Sequence, residues 1–191
     1  MKEIALHILD IAENGLAAGA TAIEIAVEED AAGNRLRVSV SDDGRGMDAR
    51  KLTALGDPFV TSRSTRVAGL GIPLLKAAAE ACNGRLEVRS APGQGTALTA
   101  EFQRDHIDRM PLGDLAGTVL SLVVANPEIH WRFQYRSDGR TFSFDTEAVR
   151  GALGDVPLCE PAVLKVIREM LQEGIREAPG PRPVPMTAGG R

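Results

Sequence analysis

The chain has 191 residues, 43% of them hydrophobic and 25% charged, with a formal net charge of -4 and a pI near 5.5. That length suits one domain plus an appendage or two small domains, and the acidic balance gives no electrostatic basis for capturing nucleic acid or an anionic membrane. No apolar run approaches the roughly 18 residues of a membrane span, and "MKEIALHILD" carries charge where a signal peptide needs an apolar core, so a cytoplasmic protein is expected.

From about residue 3 to 18, Ile4, Ile8, Ile11 and Ala12 recur at helical spacing, and Gly19 is placed to end the helix in a left-handed turn. "TAIEIAVEE" then alternates Ile23, Ile25 and Val27 against Glu24, Ala26 and Glu28. After the turn "DAAGN", "RLRVSVSDDG" sends Leu36, Val38 and Val40 inward and completes an antiparallel hairpin. A Gly-rich polar segment runs from Asp43 to about Gly71, with the short helical candidate "ARKLTAL" inside it. Irregular stretches of that length in compact domains are usually functional. "IPLLKAAAEACNG" reads as a helix with Pro73 in its first turn and Gly84 at its end, followed by the strands "RLEVRS" and "TALTAEF" around the turn "APGQG". Helices stacked on one face of an antiparallel sheet make residues 1–104 an α+β, two-layer sandwich.

After Arg104 the pattern changes. "PLGDLAGTVLSLVVANP" reads as a helix over Asp114 to Ala125, although its valines and Thr118 also suit a strand. "IHWRFQYRSDGRTFSFDT" is a hairpin, with Trp131, Phe133 and Tyr135 leading into "SDGR" and Phe142 and Phe144 returning. "EPAVLKVIREMLQEGIREA" closes with Val163, Ile167, Leu171 and Ile175 on one helical face. Residues 105–178 are therefore expected to be a small helix–hairpin–helix appendage, and the Pro/Gly-rich tail 179–191 to be disordered. Cys82 and Cys159 are far apart, with no CxxC and no histidine cluster at zinc spacing, so both are expected as reduced thiols.

Chemistry concentrates around the polar segment. Alternation places Asp42 on the inward face at the end of its strand, where a carboxylate needs a donor, and a ligand's exocyclic amine is one candidate. Gly44 and Gly46 remove side chains where a flat ligand could lie against the backbone. Gly69 and Gly71 stand just before a helix whose free N–H groups and positive dipole end suit phosphate. Thr96 is an inward hydroxyl at the start of the last strand of this unit. On the first helix, Asp10 and Asn14 lie one turn apart, on the stripe that also carries His7. The full P-loop pattern and the dinucleotide-binding glycine pattern are both absent.

In sequence order, "DIAENGLAAGAT", "DDGRGM", "DPFVTSRSTRVAGLGI" and "GQGTAL" resemble the asparagine box and the three glycine boxes of the GHKL superfamily of topoisomerase, chaperone, histidine-kinase and MutL ATPases. The resemblance covers about residues 3–104 and implies a Bergerat-type sandwich that binds ATP with magnesium. By that resemblance Asn14 would hold the metal, Asp42 would read the adenine amine with Thr96 nearby, and Gly44 and Gly46 would shape the adenine pocket. Gly69 and Gly71 would anchor the lid and meet the phosphates, with Arg63 as a candidate phosphate contact. Asp10 takes the place of the usual catalytic Glu but is one methylene shorter, so slow hydrolysis is one expectation. Because the asparagine box begins within about ten residues of Met1, no phosphoacceptor helix is expected upstream of it. His7 is expected to be structural or to support a neighbouring site residue, and not to be phosphorylated. The resemblance thus implies a protein kinase or phosphotransfer regulator acting on an unidentified protein partner. The alternative is a nucleotide-gated binding protein or a slow MutL-like ATPase without phosphotransfer. The oligomeric state stays open.

Overall fold

The helical periodicity at the start of the chain forms α1 (Ile4–Ala17) in the computed structural model, which describes residues 3–55 and 71–178. Ile4, Ile8, Ile11 and Ala12 are buried, and Gly19, at φ 79°, makes the expected left-handed exit. The alternating segments become β1 (Ala22–Asp30) and β2 (Arg35–Asp42), paired antiparallel with Ile23 opposite Asp42 and Val27 opposite Val38. "ARKLTAL" is α2 (Ala49–Leu55), and α3 (Gly71–Ala81) leads through β3 (Arg85–Ser90) to β4 (Thr96–Gln103). Gly84 stands at the helix end as expected, its N–H donating to the Ala79 carbonyl at 2.8 Å, but the reason for a glycine there is a different one. The positive φ there belongs to Asn83, whereas a Cβ on Gly84 would lie 1.8 Å from the Glu101 carbonyl oxygen, so this glycine lets the chain pass against β4.

Asp114 settles the ambiguous valine-rich segment as a helix: its side chain accepts from the Gly117 N–H at 2.8 Å and caps α4 (Leu115–Ala125). The aromatic hairpin is β5 (His130–Ser137) and β6 (Arg140–Asp145), with Asp138 and Gly139 both at positive φ, as a tight two-residue turn requires. A short helix that the periodicity did not reveal, α5 (Thr146–Leu153), starts where Asp145 caps the Glu147 N–H, and α6 (Pro161–Glu177) is the amphipathic closing helix.

The six strands among the described residues belong to one sheet in the order β3-β4-β2-β1-β5-β6. The junction is parallel: β5 lies beside β1 with Ile23 opposite Trp131, Ile25 opposite Phe133 and Val27 opposite Tyr135. Residues 105–178 therefore extend the sheet of residues 3–104, and their aromatics continue its apolar face in a single buried cluster. Each fully buried side chain of this kind stabilises by about 1.5–3 kcal/mol. On that face α1 packs against α3 and α4, and α6 against α4 and β6. The alternate strand positions carry ion pairs such as Arg37–Glu101 at 2.6 Å and Arg132–Glu24 at 3.0 Å. Exposed pairs contribute about 0–1 kcal/mol each, so the apolar face decides the fold.

Among the described residues no helix is long and apolar enough to cross a membrane, and no group of three or more His, Cys, Asp or Glu is placed to hold a metal. Cys82 is buried, Cys159 is exposed, and both are free thiols.

Candidate functional site

The polar stripe of α1 runs past the ends of two other segments. At one end is Asp42, the last residue of β2, whose carboxylate lies against Gly15. A Cβ on Gly15 would sit 3.0 Å from the Asp42 Cβ and 3.3 Å from its Oδ2. The sequence reading missed Gly15. The available signal was its cost: glycine inside a helix is about 1 kcal/mol worse than alanine, and something must require it.

Asp42 Oδ1 accepts the Gly44 N–H at 2.9 Å, and the β2–β4 register sets Thr96 directly opposite Asp42. The Thr96 hydroxyl lies 3.0 Å from the Ser90 hydroxyl, which donates to the Gly95 carbonyl at 2.8 Å and accepts the Met47 N–H at 2.9 Å. Burial pushes the Asp42 carboxyl above the usual range, while the N–H groups of Gly44 and Thr96 pull it back down. The result is a partly desolvated acceptor held rigidly at a strand end, with chemistry that suits an amine donor.

The neighbouring Asp43 does something different. Its carboxylate accepts from the Thr21 N–H at 2.7 Å, the Thr21 hydroxyl at 2.6 Å and the Ala22 N–H at 2.9 Å, and these bonds, the Thr21 hydroxyl first, lower its pKa. Asp43 ties the start of β1 to the end of β2. Gly44 fits between Ala18 and Asp42, since a Cβ would come within 2.9 Å of both. Gly46 sits at φ 63°, and a Cβ there would fall 2.0 Å from the Ala91 carbonyl oxygen. Both glycines hold the loop tightly against α1 and the β3–β4 turn.

At the other end of the stripe is the start of α3. Gly71 is buried, and a Cβ on it would lie 1.9 Å from Asp10 Oδ2. Two buried side-chain polar atoms here, Asp10 Oδ2 and His7 Nδ1, have no hydrogen-bond partner among the described residues. Leaving such an atom unpaired costs about 1–3 kcal/mol, a cost that a bound ligand or water would remove. His7 is only 2% exposed; burial lowers its pKa, and the Gly71 backbone beside the ring opposes that shift. The first N–H groups of α3 have no intrahelical acceptor and carry the positive end of the helix dipole.

Asn14 is half-buried one turn beyond Asp10, while Glu13 is exposed and points away from the stripe. An amide oxygen is a hard donor of the kind magnesium accepts alongside waters and phosphate oxygens. Asp10, Asn14, Asp42, Gly44, Gly46, Gly71 and Thr96 are thus positioned by α1 and the segments that border it. Arg63 and Gly69 lie outside the described residues.

A sequence profile described as histidine kinase-, DNA gyrase B- and HSP90-like ATPase matches residues 2–106. The sensor protein kinase FleS of Pseudomonas aeruginosa is 42% identical over 92 residues, which cover 48% of this chain and 23% of that protein. A sensor-like histidine kinase of Rhizobium meliloti is 38% identical over 92 residues, 46% of this chain and 17% of its own length. The matched part is thus about a fifth of the length of these curated relatives. A crystal structure described as the N-terminal domain of a DNA repair protein superposes with a TM-score of 0.53 at 13% identity, covering 75% of this chain and 52% of that one. At that identity the likeness is one of fold, and it covers more of the chain than the profile does.

Proposed function

This chain belongs to the histidine kinase-, DNA gyrase B- and HSP90-like ATPase family, and from that premise we propose that it binds ATP with magnesium along α1 and acts as a cytoplasmic protein kinase or phosphotransfer regulator on a partner protein. The observation that carries the reading is the convergence on one helix of segments far apart in sequence: the end of β2 meets Gly15, and the start of α3 meets Asp10. The site fits the ligand. It has a desolvated acceptor at one end and, at the other, a helix N-terminus beside an unpaired carboxylate oxygen.

ATP with magnesium supplies the transferable phosphoryl group. Asp42 accepts the adenine amine, with the Thr96 hydroxyl beside it. Gly44 and Gly46 keep the loop backbone close to the ring. The N–H groups at the start of α3, with Gly71, offset phosphate charge, and the Asn14 amide oxygen holds the metal. Gly69 and Arg63 complete the phosphate end in the same proposal. Asp10 is the candidate proton acceptor. Its shorter reach and its packing against Gly71 favour transfer to a positioned acceptor group over attack by free water, and the sensor kinases among the relatives support the same choice.

The test is the fate of labelled terminal phosphate. Incubated with magnesium and cell extract, the chain should move label from ATP to protein, and Asn14→Ala should lose magnesium-dependent ATP binding. ATP binding with no label ever reaching protein would refute the kinase reading. Full ATP affinity in Asn14→Ala would refute the metal assignment.

A further inference from the structure

His7 is the one buried histidine among the described residues, and the roles assigned above leave it without a task. Its Nδ1 is buried with no hydrogen-bond partner among the described residues, an unsatisfied polar atom that packing alone does not explain. Its surroundings are specific. It sits about one helical turn before Asp10, close enough for the carboxylate charge to act on the ring, and the Gly71 backbone lies in hydrogen-bonding reach. Gly71 in turn is so near to Asp10 that no side chain fits between them. Imidazole, carboxylate and the first residue of α3 therefore form one contact group. α3 has 11 residues and begins at Gly71.

We propose that His7 is a positioning residue for the phosphate end of the nucleotide site: it anchors the first turn of α3 and thereby fixes both the free N–H groups of that turn and the Asp10 carboxylate. This inference rests on the ATP-binding reading above and adds to it a residue that touches neither adenine nor phosphate. The anchoring is local to one end of the site, so its loss should be selective. Asp42, Gly15 and Thr96 lie at the opposite end and do not depend on it.

The experiment compares binding of adenosine, ADP and ATP with magnesium by titration calorimetry, in the full chain and in His7→Leu and His7→Asn. His7→Leu keeps bulk and removes the polar ring, so ATP affinity should fall at least tenfold, ADP less, and adenosine less than twofold. His7→Asn keeps a group able to bond the Gly71 backbone and should recover most of the ATP affinity. Equal losses for adenosine and ATP in His7→Leu, or no recovery in His7→Asn, would reduce His7 to a packing residue and overturn the proposal. If His7→Leu does not fold, His7→Phe takes its place in the same comparison: a loss for ATP that spares adenosine supports the proposal, and equal or absent losses refute it. Failure of the unaltered chain to bind any of the three ligands would instead overturn the ATP reading itself.

Discussion

Gly93 and Gly95 occupy the same β3–β4 turn at the same φ, 73°, yet a side chain would meet different surroundings at the two. A Cβ on Gly93 has nothing within 4 Å, whereas one on Gly95 lies 1.9 Å from the Asp42 carbonyl oxygen and 2.8 Å from the carbonyl carbon. Alanine at either position has to adopt a left-handed backbone, costing about 1–2 kcal/mol. Only at Gly95 must the start of β4 also move away from β2. That move threatens the pairing of Asp42 with Thr96 and the Ser90 hydrogen bond to the Gly95 carbonyl, which are worth about 0.5–1.5 kcal/mol each. Gly93→Ala should therefore destabilise by about 1–2 kcal/mol and Gly95→Ala by about 2–5 kcal/mol. Urea unfolding with equal slopes measures the difference directly. Because the displaced atom belongs to Asp42, Gly95→Ala should also lose at least tenfold in ATP affinity while Gly93→Ala keeps it. Equal urea midpoints for the two variants would refute the close-approach argument, and intact ATP binding in Gly95→Ala would refute its link to the site.

Burial raises the Asp42 carboxyl, so the folded state holds that proton more tightly than the unfolded chain does, and stability from this group falls as pH rises through the raised value. Asp42→Asn should accordingly keep or raise the urea midpoint near neutral pH while lowering ATP affinity at least tenfold; a lowered midpoint with unchanged ATP binding would contradict the assignment. Asp43 has the opposite sign: its depressed pKa gives stability that is present above the usual carboxylate range and is lost as pH falls through the folded value. Asp43→Asn should be less stable than the unaltered chain near neutral pH, with the gap closing in acid, and a gap that persists below that range would show that the bonds to Thr21 and Ala22 do not depend on the charge.

Periodicity alone determined most elements of this protein. The spacing of Ile4, Ile8 and Ile11 makes α1 whatever surrounds it, and the alternation that buries Ile23 and Val38 also dictates that Asp42 points inward. These are local signals, set by geometry within a few residues, and the α+β sandwich follows from their order. The faces of the candidate residues could be counted in the same way, Asp42 on the inward side of its strand and Asp10 and Asn14 one turn apart, whereas the roles proposed for them come from the family resemblance. Tertiary structure decided what counting cannot reach. The parallel pairing of β1 with β5 joins segments about a hundred residues apart, and nothing in either strand's alternation names the other as its neighbour. The needs met by Gly15 and Gly84 are distances to Asp42 and Glu101, which exist only once helix and strand are packed. His7 changed most: in sequence it is a polar residue on an amphipathic helix, and in the packed fold it is a buried imidazole with the Gly71 backbone beside it. Helical and strand periods are carried by each segment's own residues, whereas burial and close approach belong to pairs of segments and arise when the chain closes on itself.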